Sequence, residues 1–230
     1  MLERFLFPRR CPICDDFIAG DKKICENCVG IPRLVPAPRC MKCGKNIDDS
    51  NEEFCRDCNR DRHFFTRGVA LYEYDSVKDS LNNFKNASRP EYAEYYAENI
   101  VKYLGETIKE FEADALIPIP LHISKYKKRG YNQSELLANE ISKRTGIPVL
   151  NDCLKRVKKT KEQKKLNDTE RQKNLVGAFH MSEKGVKLEK VILVDDVYTT
   201  GATLDEAAKA LLSRGITKIY YLTVAIGTDV

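Results

Sequence analysis

The stretch Val191–Thr203, V-I-L-V-D-D-V-Y-T-T-G-A-T, limits the possible folds more than any other part of this 230-residue chain. Four apolar β-formers run without interruption. A strand buried on both faces reads this way, so the sheet around it is expected to be parallel and covered by helices. Two adjacent carboxylates, Asp195 and Asp196, close the run at its C-terminal end, where open α/β sheets place ligands. A short Thr/Gly turn follows, and a helix is expected to begin near Ala202. The backbone N–H groups of Thr199, Thr200, Gly201, Ala202 and Thr203 would then form a phosphate cradle. Carboxylates repel phosphate but suit sugar hydroxyls or a hydrated Mg²⁺ beside it. A phosphorylated ribose with free 2′ and 3′ hydroxyls satisfies both halves.

The N-terminal region is governed by different chemistry. Eight of the nine cysteines form four C-x2-C pairs: Cys11/Cys14, Cys25/Cys28, Cys40/Cys43 and Cys55/Cys58. Each pair places two thiolates on one knuckle, and two knuckles make a tetrahedral four-sulfur zinc site. A disulfide framework would need an oxidising compartment that nothing else in the chain implies. Two structural zinc ions are therefore expected. Sequential pairing gives sites Cys11/Cys14/Cys25/Cys28 and Cys40/Cys43/Cys55/Cys58. A cross-braced arrangement would join the first pair with the third and the second with the fourth. Short loops and the Pro-rich spacer Ile31–Pro38 favour the sequential form. Gly44 suits a turn that points amides at sulfur. The region has little apolar content and should not fold without metal, which contributes roughly 10–16 kcal/mol in small zinc peptides. The ninth cysteine, Cys153, reads as a core residue of a strand.

The 32% charged and 42% hydrophobic fractions are those of a globular protein, and no apolar run approaches the roughly 20 residues of a membrane span. Residues 2–7 form an apolar cluster too short for a signal-peptide core, so the expected compartment is cytoplasmic. Net charge is +5, but residues 122–173 carry 15 Lys and Arg against 6 Asp and Glu. That concentration implies an anionic partner.

Periodicity places a strand over 66–75, expected at a sheet edge, helices over 77–86 and 91–111, and a central strand over 115–120. A helix over 132–144 is capped by Asn132 and closed by Gly146. Short strands follow at 147–150 and 154–157, with a short helix over 169–175. The strand 191–194, a helix over 203–213 and a strand over 219–226 complete an alternating pattern, which implies a mostly parallel sheet with right-handed crossovers. Two further constellations flank the sheet. In the first, Pro118–His122 leads into Lys125, Lys127, Lys128 and Arg129, then Gly130-Tyr131-Asn132-Gln133-Ser134 at a helix start. It reads either as a pyrophosphate site or as a solvated charged loop. The second joins Leu154, Lys155, Arg156, Thr160, Gln163, Leu166, Arg171, Asn174 and Phe179 in a long polar stretch suited to a closing loop.

The motif V-D-D-V-Y-T-T-G-A-T resembles the phosphoribosyl pyrophosphate (PRPP) motif of type I phosphoribosyltransferases. P-I-P-L-H…R-G-Y-N-Q-S, L-K-R…T…Q…L…R…N…G-A-F and the four C-x2-C pairs match, in order, the ComF family of competence proteins, and the resemblance spans essentially the whole chain. It implies a double zinc ribbon over residues 1–64 and a phosphoribosyltransferase-like α/β domain over 65–230. Asp195 and Asp196 would hold ribose, Thr199–Thr203 the 5′-phosphate, and Mg²⁺ would accompany PRPP. Lys127, Arg129 and Arg171 would be the catalytic cations that neutralise departing pyrophosphate, should the protein transfer phosphoribosyl groups to an acceptor. The family further implies single-stranded DNA as a partner, taken up during natural transformation in the cytoplasm beside a helicase-like protein. Three functions follow as alternatives: PRPP-linked DNA handling, true phosphoribosyl transfer, and PRPP sensing without turnover.

Overall fold

The computed structural model describes residues 9–18, 22–158, 175–182 and 188–227. A short helix, α1 (Arg56–Arg60), precedes the sheet. The order is then β1 (Arg67–Glu73), α2 (Tyr74–Asn86), α3 (Tyr92–Glu110), β2 (Ala115–Pro118), α4 (Ile123–Arg129), α5 (Gln133–Thr145), β3 (Leu154–Arg156), β4 (Phe179–Met181), β5 (Lys190–Tyr198), α6 (Ala202–Leu212) and β6 (Lys218–Ile226). Four strands form a parallel sheet in the order β1-β6-β5-β2, while β3 and β4 pair separately as an antiparallel ribbon. The fold class is that expected, and β1 lies at the sheet edge.

The apolar run of β5 explains the two cores. Side chains alternate across a strand. Ile192 and Val194 join the core formed with α2, α3 and α5, while Val191 and Leu193 join the core formed with α6. All four are fully buried.

Several boundaries differ from the sequence reading. β5 continues through both carboxylates to Tyr198, because β6 accompanies it with Asp195 opposite Thr223 and Tyr198 opposite Ile226. Residues 123–129, read as part of a pyrophosphate site or of a solvated charged loop and assigned to no helix, form helix α4. His122 caps it by accepting the Ser124 amide at 3.2 Å, and Gly130 ends it in the left-handed region at φ 86°. None of its residues is buried, so no apolar period announces it. The strand expected over 147–150 is reduced to one bridge between Val149 and Leu116, since Pro148 has no N–H for a ladder. The expected helix over 169–175 lies largely outside the described residues.

The two cysteine clusters clasp the edge strand β1 from opposite faces. Cys11 and Cys28 belong to the core with α2 and α3; Cys40, Cys43 and Cys55 belong to the core with α6. The chain joining them is more than a spacer. Val35 donates its amide to Leu71 at 3.0 Å and Glu73 donates to Arg33 at 2.9 Å, with Leu34 bridged to Tyr72. This antiparallel segment covers the open edge of β1, which would otherwise present unpaired backbone groups. The second cluster sits directly on the strand. Gly68 donates to the Lys42 carbonyl at 2.8 Å, and a Cβ on Gly44, whose φ is 73°, would lie 2.7 Å from the Gly68 oxygen. Glycine is required by that close approach.

Candidate ligand site and metal centres

Cys11, Cys14, Cys25 and Cys28 form one group and Cys40, Cys43, Cys55 and Cys58 a second, the sulfurs of each lying within 4.8 Å of one another. Pairing is therefore sequential, and the cross-braced alternative is excluded. The Cys14–Cys25 and Cys43–Cys55 sulfurs are 3.7 Å and 3.6 Å apart, close to the roughly 3.8 Å expected between sulfurs about 2.3 Å from a tetrahedral zinc. The donor sets thus fit two structural zinc ions. Burial works against ionising Cys11, yet amides of Cys25, Cys14 and Ile13 bring its thiol down to about 7. Hydrogen bonds from the Cys43, Cys55 and Cys58 thiols hold the Cys40 thiol far below its ordinary value, against the opposing effect of burial.

The acid pair lies at the C-terminal end of β5. Asp195 accepts two hydrogen bonds on Oδ1, from the Ser134 hydroxyl at 2.9 Å and the Asp196 amide at 2.9 Å. Burial pushes its carboxyl up to about 6, against the opposing pull of Ser134 and of the charges on Lys85, Arg156 and Arg129. Desolvation thus outweighs a hydrogen bond and three nearby cations. Asp196 continues the Ile192/Val194 side of the strand toward α2. It is 5% exposed and forms an ion pair with Lys85. Arg129 ends α4 half-buried and bonds Gln133. Arg156 on β3 stacks its guanidinium over Phe179 at 5.4 Å. Burial lowers the pKa of both guanidinium groups, and an incoming anion would be welcome beside them.

The turn after β5 has the form expected. Thr199 is exposed and Thr200 half-buried. Gly201 adopts φ 79° as the N-cap of α6 and offers no side-chain oxygen to the first helical amides. A helix N-terminus without such a cap is suited to an anion. The acids and this turn are thus consecutive on one chain segment, one at the strand end and one at the helix start.

Of the cations singled out from sequence, Arg129 and Arg156 are brought to the acid pair. Lys127 is exposed on α4, and Arg171 lies outside the described residues, as do Thr160, Gln163, Leu166 and Asn174. Two residues of the site carried no sequence signal. Lys85 is one lysine on an amphipathic helix, and only the tertiary fold sets it against Asp196. His63, between the second cysteine cluster and β1, donates or accepts through Nδ1 with Asp205 of α6 at 2.7 Å. Its neighbours Phe64 and Phe65 give it no local pattern that would set it apart.

A parallel α/β sheet bearing an acid pair and a helix-starting turn without a side-chain cap, clasped by two four-cysteine sites, defines a zinc-ribbon protein of the phosphoribosyltransferase class. Residues 2–59 match the double zinc ribbon domain family and residues 105–227 the phosphoribosyl transferase domain family. Competence protein F of Haemophilus influenzae is 30% identical over 226 residues, covering 93% of this chain and 95% of that protein. Competence protein ComFC of Bacillus subtilis is 29% identical over 203 residues, covering 85% and 80%. The DNA utilization protein YhgH of Escherichia coli strain K12 is 26% identical over 209 residues, covering 89% and 85%. The chain belongs to the ComF family of competence proteins. Among the described residues no helix is long and apolar enough to cross a membrane.

Proposed function

We propose that this protein binds PRPP, or a related phosphoribosyl ligand with Mg²⁺, and handles single-stranded DNA during uptake in the cytoplasm beside a helicase-like partner. In this reading residues 1–64 are the ribbon module and 65–230 the ligand-binding body. The observation that carries it is the continuity of Asp195–Asp196 with the Gly201 turn and the N-terminus of α6. Asp195 and Asp196 would accept from the ribose hydroxyls, the amides of residues 200–203 would hold the 5′-phosphate, and Arg129 would face the pyrophosphate, whose remaining charge the Mg²⁺ that accompanies PRPP would offset. The DNA part is supported by the names of the relatives and by the cation-rich segment 122–173.

The ligand is tested by calorimetric titration with PRPP and Mg²⁺. Micromolar binding that Asp195→Asn/Asp196→Asn abolishes is expected, and wild-type protein that takes up no PRPP would sink the reading. For DNA, affinity for a short single strand should fall at least about tenfold between about 50 and about 200 mM salt, because phosphate contacts release counterions. A flat salt response counts against a cationic DNA surface. A second reading, active phosphoribosyl transfer, is favoured by the three cations acting on Asp195, since charge stabilisation of pyrophosphate is the main demand of such a reaction. Pyrophosphate release above that of the double Asn variant, in a screen of bases and amines, decides it.

A further inference from the structure

Gly201 rests on two side chains. A Cβ at this position would stand 2.8 Å from the Tyr198 hydroxyl and 3.1 Å from Cε1 of His63. His63 is 8% exposed, and its ring stacks on Phe65 with centroids 4.8 Å apart. Its Nδ1 meets Asp205 Oδ2 at 2.7 Å, and the neighbouring Phe64 amide donates to Asp205 Oδ1 at 2.8 Å. Both oxygens of one carboxylate are therefore held by the segment that leaves the second cysteine cluster. Nε2 of the same ring lies 3.4 Å from the Tyr198 hydroxyl. In the neutral tautomer that donates to the carboxylate through Nδ1, Nε2 is left to accept from that hydroxyl. Tyr198 in turn stacks on Tyr221 at 5.1 Å and 8°, and the Tyr221 hydroxyl donates to the carbonyl of Cys43.

The position of Asp205 gives this arrangement its consequence. It lies in the first turn of α6, where its amide donates to the Gly201 carbonyl at 2.8 Å. An unrestrained aspartate there competes for the same N-terminal amides and the same dipole that an anion would use. Two hydrogen bonds from residues 63 and 64 hold it away from them.

We infer that His63 is a positioning residue of the phosphate turn, and that through His63 and Tyr198 the Cys40–Cys58 metal site and the turn form one energetic unit. This rests on the phosphoribosyl reading of the turn. A phosphate seated on α6 stabilises the segment that follows Cys58, and the metal that folds that segment strengthens phosphate binding. Linkage makes the effect reciprocal.

The test uses the full zinc-loaded chain with ribose 5-phosphate as probe. His63→Ala should weaken the probe by about tenfold or more, within the usual range of such couplings, while the chain keeps both zinc ions. His63→Asn places its amide donor where Nδ1 stands and should recover most of the affinity. His63→Gln, whose donor corresponds to Nε2, should not. Adding Asp205→Asn to His63→Ala removes the competing charge and should restore part of the loss. In the reciprocal arm, saturating probe should slow chelator-driven zinc release from one of the two sites in wild type and from neither in His63→Ala. If His63→Ala proves too unstable, the Asn and Gln variants are compared alone, and equal affinities for them overturn the inference. Wild-type protein that binds no ribose 5-phosphate overturns the phosphoribosyl reading together with this inference. Wild-type binding that His63→Ala leaves unchanged, or zinc release indifferent to the probe, overturns this inference alone.

Discussion

The two four-cysteine sites share a ligand set and differ in how they are anchored. The first is open, with Cys14 exposed and Cys25 half-buried. Side chains hold it against the helices. Arg89 grips Asp15 through two contacts, at 2.6 and 3.0 Å, the Tyr92 hydroxyl donates to the Cys11 carbonyl at 3.0 Å, and Ser80 reaches the Pro12 carbonyl. The second has three of its four cysteines buried. It is fixed by backbone to β1 and by an aromatic stack to the strand that carries the acid pair. The same set of four cysteines thus sits on an outlying knob in one case and beneath the Gly201 turn in the other.

The largest effect expected from this difference comes from removing one thiolate in each site. Cys43→Ser should release one zinc, cost several kcal/mol, on the order of a substantial part of a structural zinc's contribution, and abolish binding of a phosphoribosyl ligand. Cys14→Ser should also release one zinc but leave ligand affinity within about twofold. Zinc stoichiometry, thermal unfolding and ligand titration on the two variants decide the matter. Equal loss of ligand binding in both would erase the distinction.

The regions differ also in what their acids do. Asp15 is held below its ordinary value, chiefly by the Arg89 guanidinium, whereas burial pushes Asp195 up to about 6 from an unfolded value of 3.8. A raised carboxyl pKa means that ionisation opposes folding. The cost is absent below about pH 3.8 and fully present above about pH 6. Asp195→Asn keeps the Oδ1 acceptor and removes the charge. It should therefore stabilise the ligand-free protein at pH 8 by at most about 3 kcal/mol, at about 1.4 kcal/mol for each tenfold change in proton affinity. Little gain is expected at pH 4, and ligand binding should weaken. Denaturant melts at the two pH values check this. A gain of the same size at both would show that Asp195 is not the titrating group.

The balance of what was legible follows range along the chain. The β5 core, the acid pair and the Gly201 turn are encoded within thirteen consecutive residues, and the sequential cysteine pairing follows from short loops. α4 is hidden because a helix that buries nothing has no apolar period. The extension of β5 past the acids depends on β6, which lies farther along the chain. Lys85 and His63 are set by tertiary contacts alone. His63 meets an aspartate 142 positions away, and one histidine among aromatics has no local pattern to distinguish it from an ordinary core residue. The ion pair of Asp196 with Lys85 and the ring that supports Gly201 are therefore properties of the fold.

The smallest effect should come from the side-chain anchor of the first ribbon. Arg89 and Asp15 are each about one-quarter exposed at the side chain, so solvent screens their pair, and Arg89→Met should cost about 1–2 kcal/mol, less than a fully buried pair would. The sign with pH is opposite to that of Asp195. Because the folded pKa of Asp15 is depressed, its stabilisation is present above the unfolded value of 3.8 and is lost as pH falls through the lower folded one. The wild-type advantage over Arg89→Met should therefore be steady from pH 8 to about pH 5 and shrink in stronger acid. Zinc release by chelator should speed up at the first site, since the Cys11–Asp15 knuckle then loses its Arg89 anchor and keeps the hydrogen bonds of Tyr92 and Ser80. Ligand affinity should not move. A drop in ligand affinity comparable to that of Cys43→Ser would mean that the outer ribbon, too, communicates with the turn, and that the two sites differ in exposure only.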